Sequence, residues 1–147
     1  MGMLTQRYNE DAMLEKLSKL LVYPSERILY AVYCTMQDQS DTFFSMTSSG
    51  DVKACFLGLT DRGRLIGCQI GLMSETPLQI DMMLITKLKI KKTIFQQYRI
   101  DLEYSASRNK RLRFVIAPKI TGAQFPNQQM NCERILEELK AKEALLI

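Results

Sequence analysis

Thr86-Lys87-Leu88-Lys89-Ile90-Lys91 alternates polar and aliphatic residues without a break. A two-residue period puts Leu88 and Ile90 on one face of a strand and Lys87, Lys89 and Lys91 on the other, as expected of a sheet with one wet face. The pattern repeats in Tyr98-Arg99-Ile100-Asp101-Leu102-Glu103-Tyr104, with Tyr98, Ile100, Leu102 and Tyr104 inward. Its partner is Leu112-Arg113-Phe114-Val115-Ile116, reached through the polar reversal from Ser105 to Arg111. After Pro118 the period lengthens: Cys132, Ile135, Leu136 and Leu139 fall on one helical face, with Asn127 as candidate N-cap.

Upstream, Arg27 to Met36 is rich in β-branched and aromatic residues and reads as a strand. Val52 to Leu59 and Leu65 to Leu72 form a hairpin around Thr60-Asp61-Arg62-Gly63-Arg64, where glycine supplies a positive φ. Gln79 to Leu84 follows the turn at Ser74 to Pro77. The stretch from Gln37 to Asp51 is either a long loop anchored by Phe43, Phe44 and Met46 or an extra strand. Before all of these, Met13, Leu14, Leu17, Leu20 and Leu21 mark an amphipathic helix from about Asn9 to Val22, capped by Asn9 and stopped before Pro24. The order is helix, about seven antiparallel strands, helix. A chain of 147 residues, without repeats or low complexity, folds as one mainly-β domain: a helical extension over residues 1–26, strands over 27–117 and a C-terminal helix over 126–146.

Two segments add a resemblance. Leu20-Leu21-Val22-Tyr23-Pro24-Ser25-Glu26-Arg27-Ile28-Leu29 resembles the helix, L-x-P-G-E, strand opening of small bacterial pleckstrin-homology-like (PH-like) proteins, with Ser25 where glycine is usual. Leu59-Thr60-Asp61-Arg62-Gly63-Arg64-Leu65-Ile66 is similar to their second hairpin, L-T-D-x-R-L-I, with one extra residue. The resemblance spans roughly Leu17 to Leu146. It implies a seven-stranded sandwich or partial barrel plugged by the last helix, and a binding or oligomerising module. Phosphoinositide-reading members carry a basic motif between their first two strands, whereas Gln37 to Gly50 has no lysine or arginine here. That lipid motif is absent.

Composition removes several chemistries. The chain has no histidine, so it lacks the commonest neutral metal ligand and general base. Cys34, Cys55, Cys68 and Cys132 are too scattered for a zinc site, and no phosphate-cradling glycine loop occurs. Cys34, Cys55 and Cys68 sit in apolar runs and read as buried hydrophobes in a reducing, cytoplasmic setting. Neither a signal peptide nor a membrane-spanning run is visible. The expectation is a protein that is not an enzyme and uses no metal or cofactor.

The strongest functional signal is charge. Leu84 to Ile120 nets +8, against −3 before it and −1 after it. Lys87, Lys89, Lys91, Arg99, Arg111 and Arg113 form a candidate basic interaction face for an anionic ligand, an acidic lipid headgroup or nucleic acid; the plain alternative is that outward lysines keep a sheet soluble. Asp101 and Glu103 share that face and read as cross-strand salt-bridge partners. Phe95 and Phe114 read as core, which leaves no aromatic platform for bases and argues against nucleic acid. Met82, Met83 and Met130 read as core fillers, and Met46 as an adaptable contact. The N-terminal helix covers either its own sheet or another copy. The partner expected is another protein or a second copy of the chain, with membrane contact peripheral at most.

Overall fold

The computed structural model describes residues 9–39, 52–70, 77–106, 109–120 and 124–146. Most of the 37–51 segment, with Met46, therefore lies outside the described residues. The elements are α1 (Glu10–Ser18), β1 (Ile28–Asp38), β2 (Lys53–Thr60), β3 (Arg64–Gln69), β4 (Pro77–Asp81), a 3-10 turn (Met82–Leu84), β5 (Ile85–Lys92), β6 (Tyr98–Tyr104), β7 (Lys110–Ile116) and α2 (Gln128–Leu145). All pairings are antiparallel, in the order β4-β3-β2-β1-β7-β6-β5. This is the mainly-β, helix-flanked architecture expected from the sequence. The first helix is shorter than the apolar spacing suggests, ending at Ser18.

One core contains residues from all seven strands and from α2, including Val32, Leu57, Leu65, Ile80, Leu88, Ile100, Phe114, Ile135, Leu136 and Leu139. A flat sheet could not bring β4 and β5, its two edges, into one cluster, so the sheet curls and α2 plugs the opening. A second core lies on the other face of β1, β2 and β3, where Met13 and Leu17 of α1 meet Ala31, Phe56, Ile66, Ile70 and Phe125. The N-terminal helix is thus packed on its own sheet. Gly58 lets it approach: a Cβ there would stand 3.1 Å from Leu17 Cδ1.

β1 pairs with β7 only from Thr35 to Asp38, so its earlier backbone groups on that edge need other partners. Two side chains of α2 supply them. Gln128 accepts from the Tyr33 N–H at 3.0 Å and donates to Tyr33 O at 2.8 Å, and Asn131 donates to Ala31 O at 3.0 Å. Asn127 occupies the N-cap position without a side-chain cap bond; its amide donates to Glu10 Oε1 at 2.6 Å instead, tying the two helix starts together. Asn9 does cap α1, accepting from Ala12 N at 2.7 Å.

Gly63 has φ +70° in the β2–β3 turn, as its position demands. Ser25 has φ +63°, the left-handed conformation in which a Cβ is costly. The glycine of the resembled motif would relieve that cost, less the extra backbone entropy it carries when unfolded. Ser25→Gly is expected to raise the unfolding free energy by about 0.5–1 kcal/mol. Urea midpoints measured side by side check this; a lower midpoint for the glycine variant would refute it.

Candidate interaction surface

The register of β5, β6 and β7 sorts the predicted basic residues into rows across the outer face: Lys87–Glu103–Arg111, Lys89–Asp101–Arg113 and Lys91–Arg99–Val115. All six candidates therefore come together on one surface. The two acids run down its middle strand. Asp101 accepts from Arg113 Nε at 2.7 Å and lies 3.2 Å from Arg99 Nε, while Lys87 Nζ stands 3.8 Å from Glu103. The cross-strand salt bridges expected of Asp101 and Glu103 are present, and they partly neutralise the face they divide. Lys89 and Lys91 point outward with no carboxylate partner among the described residues.

Among the described residues β5 is an edge strand, bonded to β6 alone. Beside it runs a cleft of about 530 Å3, walled by Thr86, Lys87, Leu88 and Lys89 on one side and by Lys140, Glu143 and Ala144 of α2 with its C-cap Leu146 on the other. The β5–β6 turn overturns one sequence expectation. Phe95 is not core: it is 77% exposed, and its neighbour Ile94 is 86% exposed. Phe114, by contrast, is buried as expected. Met82 is partly buried, but Met83 and Met130 are exposed, because the short 3-10 turn and the outer face of α2 direct them away from the core.

Behind α1 lies a buried polar cluster. Glu26 accepts from Arg64 Nη1 at 2.7 Å, from Thr60 Oγ1 at 2.8 Å and from the backbone N–H of Val22 at 3.0 Å. Arg64 also donates to Gln79, and its guanidinium carbon lies 5.6 Å from the centre of the Tyr23 ring. Burial opposes ionisation of Glu26, but hydrogen bonds from Thr60, Arg64 and the backbone outweigh it and lower the pKa to about 2. The cluster clamps the α1–β1 connection to the β2–β3 hairpin. Sequence spacing offered no signal for it, since 38 residues separate Glu26 from Arg64.

The four cysteines are free and buried. Burial pushes the Cys34 thiol well above its ordinary pKa, with neighbouring Cys55 adding to the rise, and holds Cys132 up at about 11. Cys34 and Cys132 therefore stay protonated and inert at neutral pH. Among the described residues no cluster of acidic or sulfur ligands could hold a metal, and no helix is long and apolar enough to cross a membrane. Comparison with known proteins returns no match to a family model, a curated protein or a solved structure.

Proposed function

We propose that this protein is a non-catalytic, PH-like binding module of the cytoplasm that takes an extended, acidic segment of a protein partner along β5. The observation that carries this reading is the β5 edge, which no other strand among the described residues covers, and which borders a cleft against α2 and bears Lys87 and Lys89 at its rim. An edge strand offers unpaired N–H and C=O groups, so an incoming strand gains a ladder of backbone bonds and the lysines select for acidic side chains. Four buried thiols and an acid held ionised beneath an arginine support a binding rather than a catalytic role, and the thiols support a reducing compartment.

Self-association fits less well. Pairing β5 with β5 of a second copy would bring lysines against lysines, and the apolar stripe of α1 is already used on its own sheet. The alternative of an anionic ligand spread over the basic sheet face draws on six cations, but Asp101 and Glu103 divide them and lower the field.

Selection from a random peptide-display library on the immobilised protein tests the reading. Peptides that alternate acidic with β-branched residues are expected to be enriched. Their binding should be lost in Ala144→Arg, which fills the cleft from an exposed position, and in Lys87→Glu/Lys89→Glu. Enriched peptides lacking acidic residues, or binding that survives Ala144→Arg, would contradict it.

A further inference from the structure

The β5–β6 hairpin is tied into a tight turn that leaves its two apolar side chains exposed, Phe95 at the mouth of the cleft behind it. Thr93 closes it: its N–H donates to Gln97 O at 2.7 Å, its carbonyl accepts from Gln96 N at 3.1 Å, and its Oγ1 accepts from Phe95 N and Gln97 N at 3.3 and 3.2 Å. Gln96 then takes φ +62°, the left-handed residue that completes a type I turn in a three-residue hairpin loop. Ile94 and Phe95 are left at the apex, with no other part of the described protein covering them.

Cations surround this apex. Lys91 and Lys92 end β5, Arg99 lies opposite Lys91, and Lys92 Nζ rests 5.8 Å from the centre of the Tyr98 ring. Behind the tip opens a cleft of about 580 Å3, whose lining includes Lys92, Gln97, Lys119 and Gln129; Glu133 is the single carboxylate among its lining residues. We propose that the hairpin tip docks the protein on an anionic lipid bilayer, Ile94 and Phe95 entering the headgroup–acyl boundary while Lys91, Lys92 and Lys119 meet acidic headgroups, one of which the cleft behind the tip receives.

Shape and charge together select this occupant. A stable protein interface needs about 800 Å2 from each side, whereas a convex apex two side chains wide supplies roughly 300–400 Å2. A bilayer sets no such threshold, and stable attachment to it takes two weak signals acting together, an apolar insertion and a basic patch. Both are present at one point of the molecule. Ile94 has no π face on which a base could stack, which disfavours single-stranded nucleic acid. The site uses a turn and a cleft separate from the groove between β5 and the end of α2, so it stands whether or not that groove takes a peptide.

The chain contains no tryptophan, so Phe95→Trp creates a sole reporter at the apex. Its emission is expected to shift to shorter wavelength on adding phosphatidylcholine vesicles that contain phosphatidylserine, and to stay unchanged with phosphatidylcholine alone. Flotation of the wild-type chain with the same vesicles should give a partition coefficient at least about tenfold above that of Ile94→Ser/Phe95→Ser. Lys92→Glu/Lys119→Glu should lower it by about 25-fold or more, at roughly fivefold for each lysine charge near the surface. Lys53→Glu, the same reversal at a single lysine on β2 and so half that charge change, should leave it unaltered. All substituted positions are exposed, so thermal unfolding of the variants should match the wild type. The proposal falls if phosphatidylserine vesicles bring no shift, if Ile94→Ser/Phe95→Ser floats as well as wild type, or if Lys53→Glu loses as much as the tip variants. It falls also if the Phe95→Trp emission is already blue-shifted without vesicles and varies with protein concentration, since the tip would then be buried against a second copy.

Discussion

Replacing Arg64 with methionine is expected to lower the unfolding free energy by about 3–5 kcal/mol, the cost of leaving a buried charge without its partner. The size follows from burial: the Glu26 side chain is 0% exposed, and Arg64 supplies contacts at 2.7 and 2.9 Å that water cannot replace there. Methionine keeps the length of the stem and removes only the charge and the donors. Changing both partners, as Glu26→Gln/Arg64→Met, should recover part of the loss, because no buried charge is left unpaired and the amide oxygen can still accept from the Val22 backbone N–H. The ion pair also sets an acid limit. The folded-state pKa of about 2 lies below the ordinary 4.5, so the unfolded chain binds the proton first as pH falls. The stabilisation is therefore complete above about pH 4.5 and is lost progressively toward pH 2. Urea unfolding across this window should show a steeper decline for wild type than for Glu26→Gln. Equal slopes, or an Arg64→Met variant as stable as wild type, would show that the cluster contributes little.

Strands with one wet face could be read directly. Along β6 and β7, alternation identified Ile100, Leu102 and Phe114 as interior, and the register then brought Asp101 opposite Arg113 as the charge pattern suggested. β1 resisted the same treatment, because α1 covers its outer side: Ala31 and Tyr33 pack under that helix while Val32 and Cys34 enter the main core, and both sets are apolar or aromatic. The apex was missed for a different reason. Ile94 and Phe95 sit in a turn, where neither period applies, and hydrophobicity alone suggests burial for a residue that local hydrogen bonds turn outward. Glu26, Thr60 and Arg64, like Gln128 with Tyr33, meet only once distant segments have paired. What the sequence did carry was the composition of the candidate surface, since the lysines of an outward strand face remain outward in any fold that buries Leu88.

Leu136→Ala is the second large effect expected, at about 2–5 kcal/mol. Leu136 is buried in the cluster formed by all seven strands, between Cys132 and Leu139 on the α2 face that closes the curled sheet. Its neighbours are held on two sides: β1 is bonded to β2 and to β7, and α2 is fastened to β1 by Gln128 and Asn131. With the helix start anchored this way, α2 cannot slide inward to fill the space left by the missing methyl groups, so a cavity persists and the cost should fall in the upper half of the range. Gln128→Leu combined with Leu136→Ala provides the check on that reasoning. Freed of its backbone clasp, the helix can settle into the gap, and the two changes should cost less together than the sum of each alone. Urea unfolding with an unchanged slope measures all three variants on one scale. A loss below about half a kcal/mol for Leu136→Ala would reject the plugged core, and strict additivity would reject the anchoring role of Gln128 while leaving the packing intact.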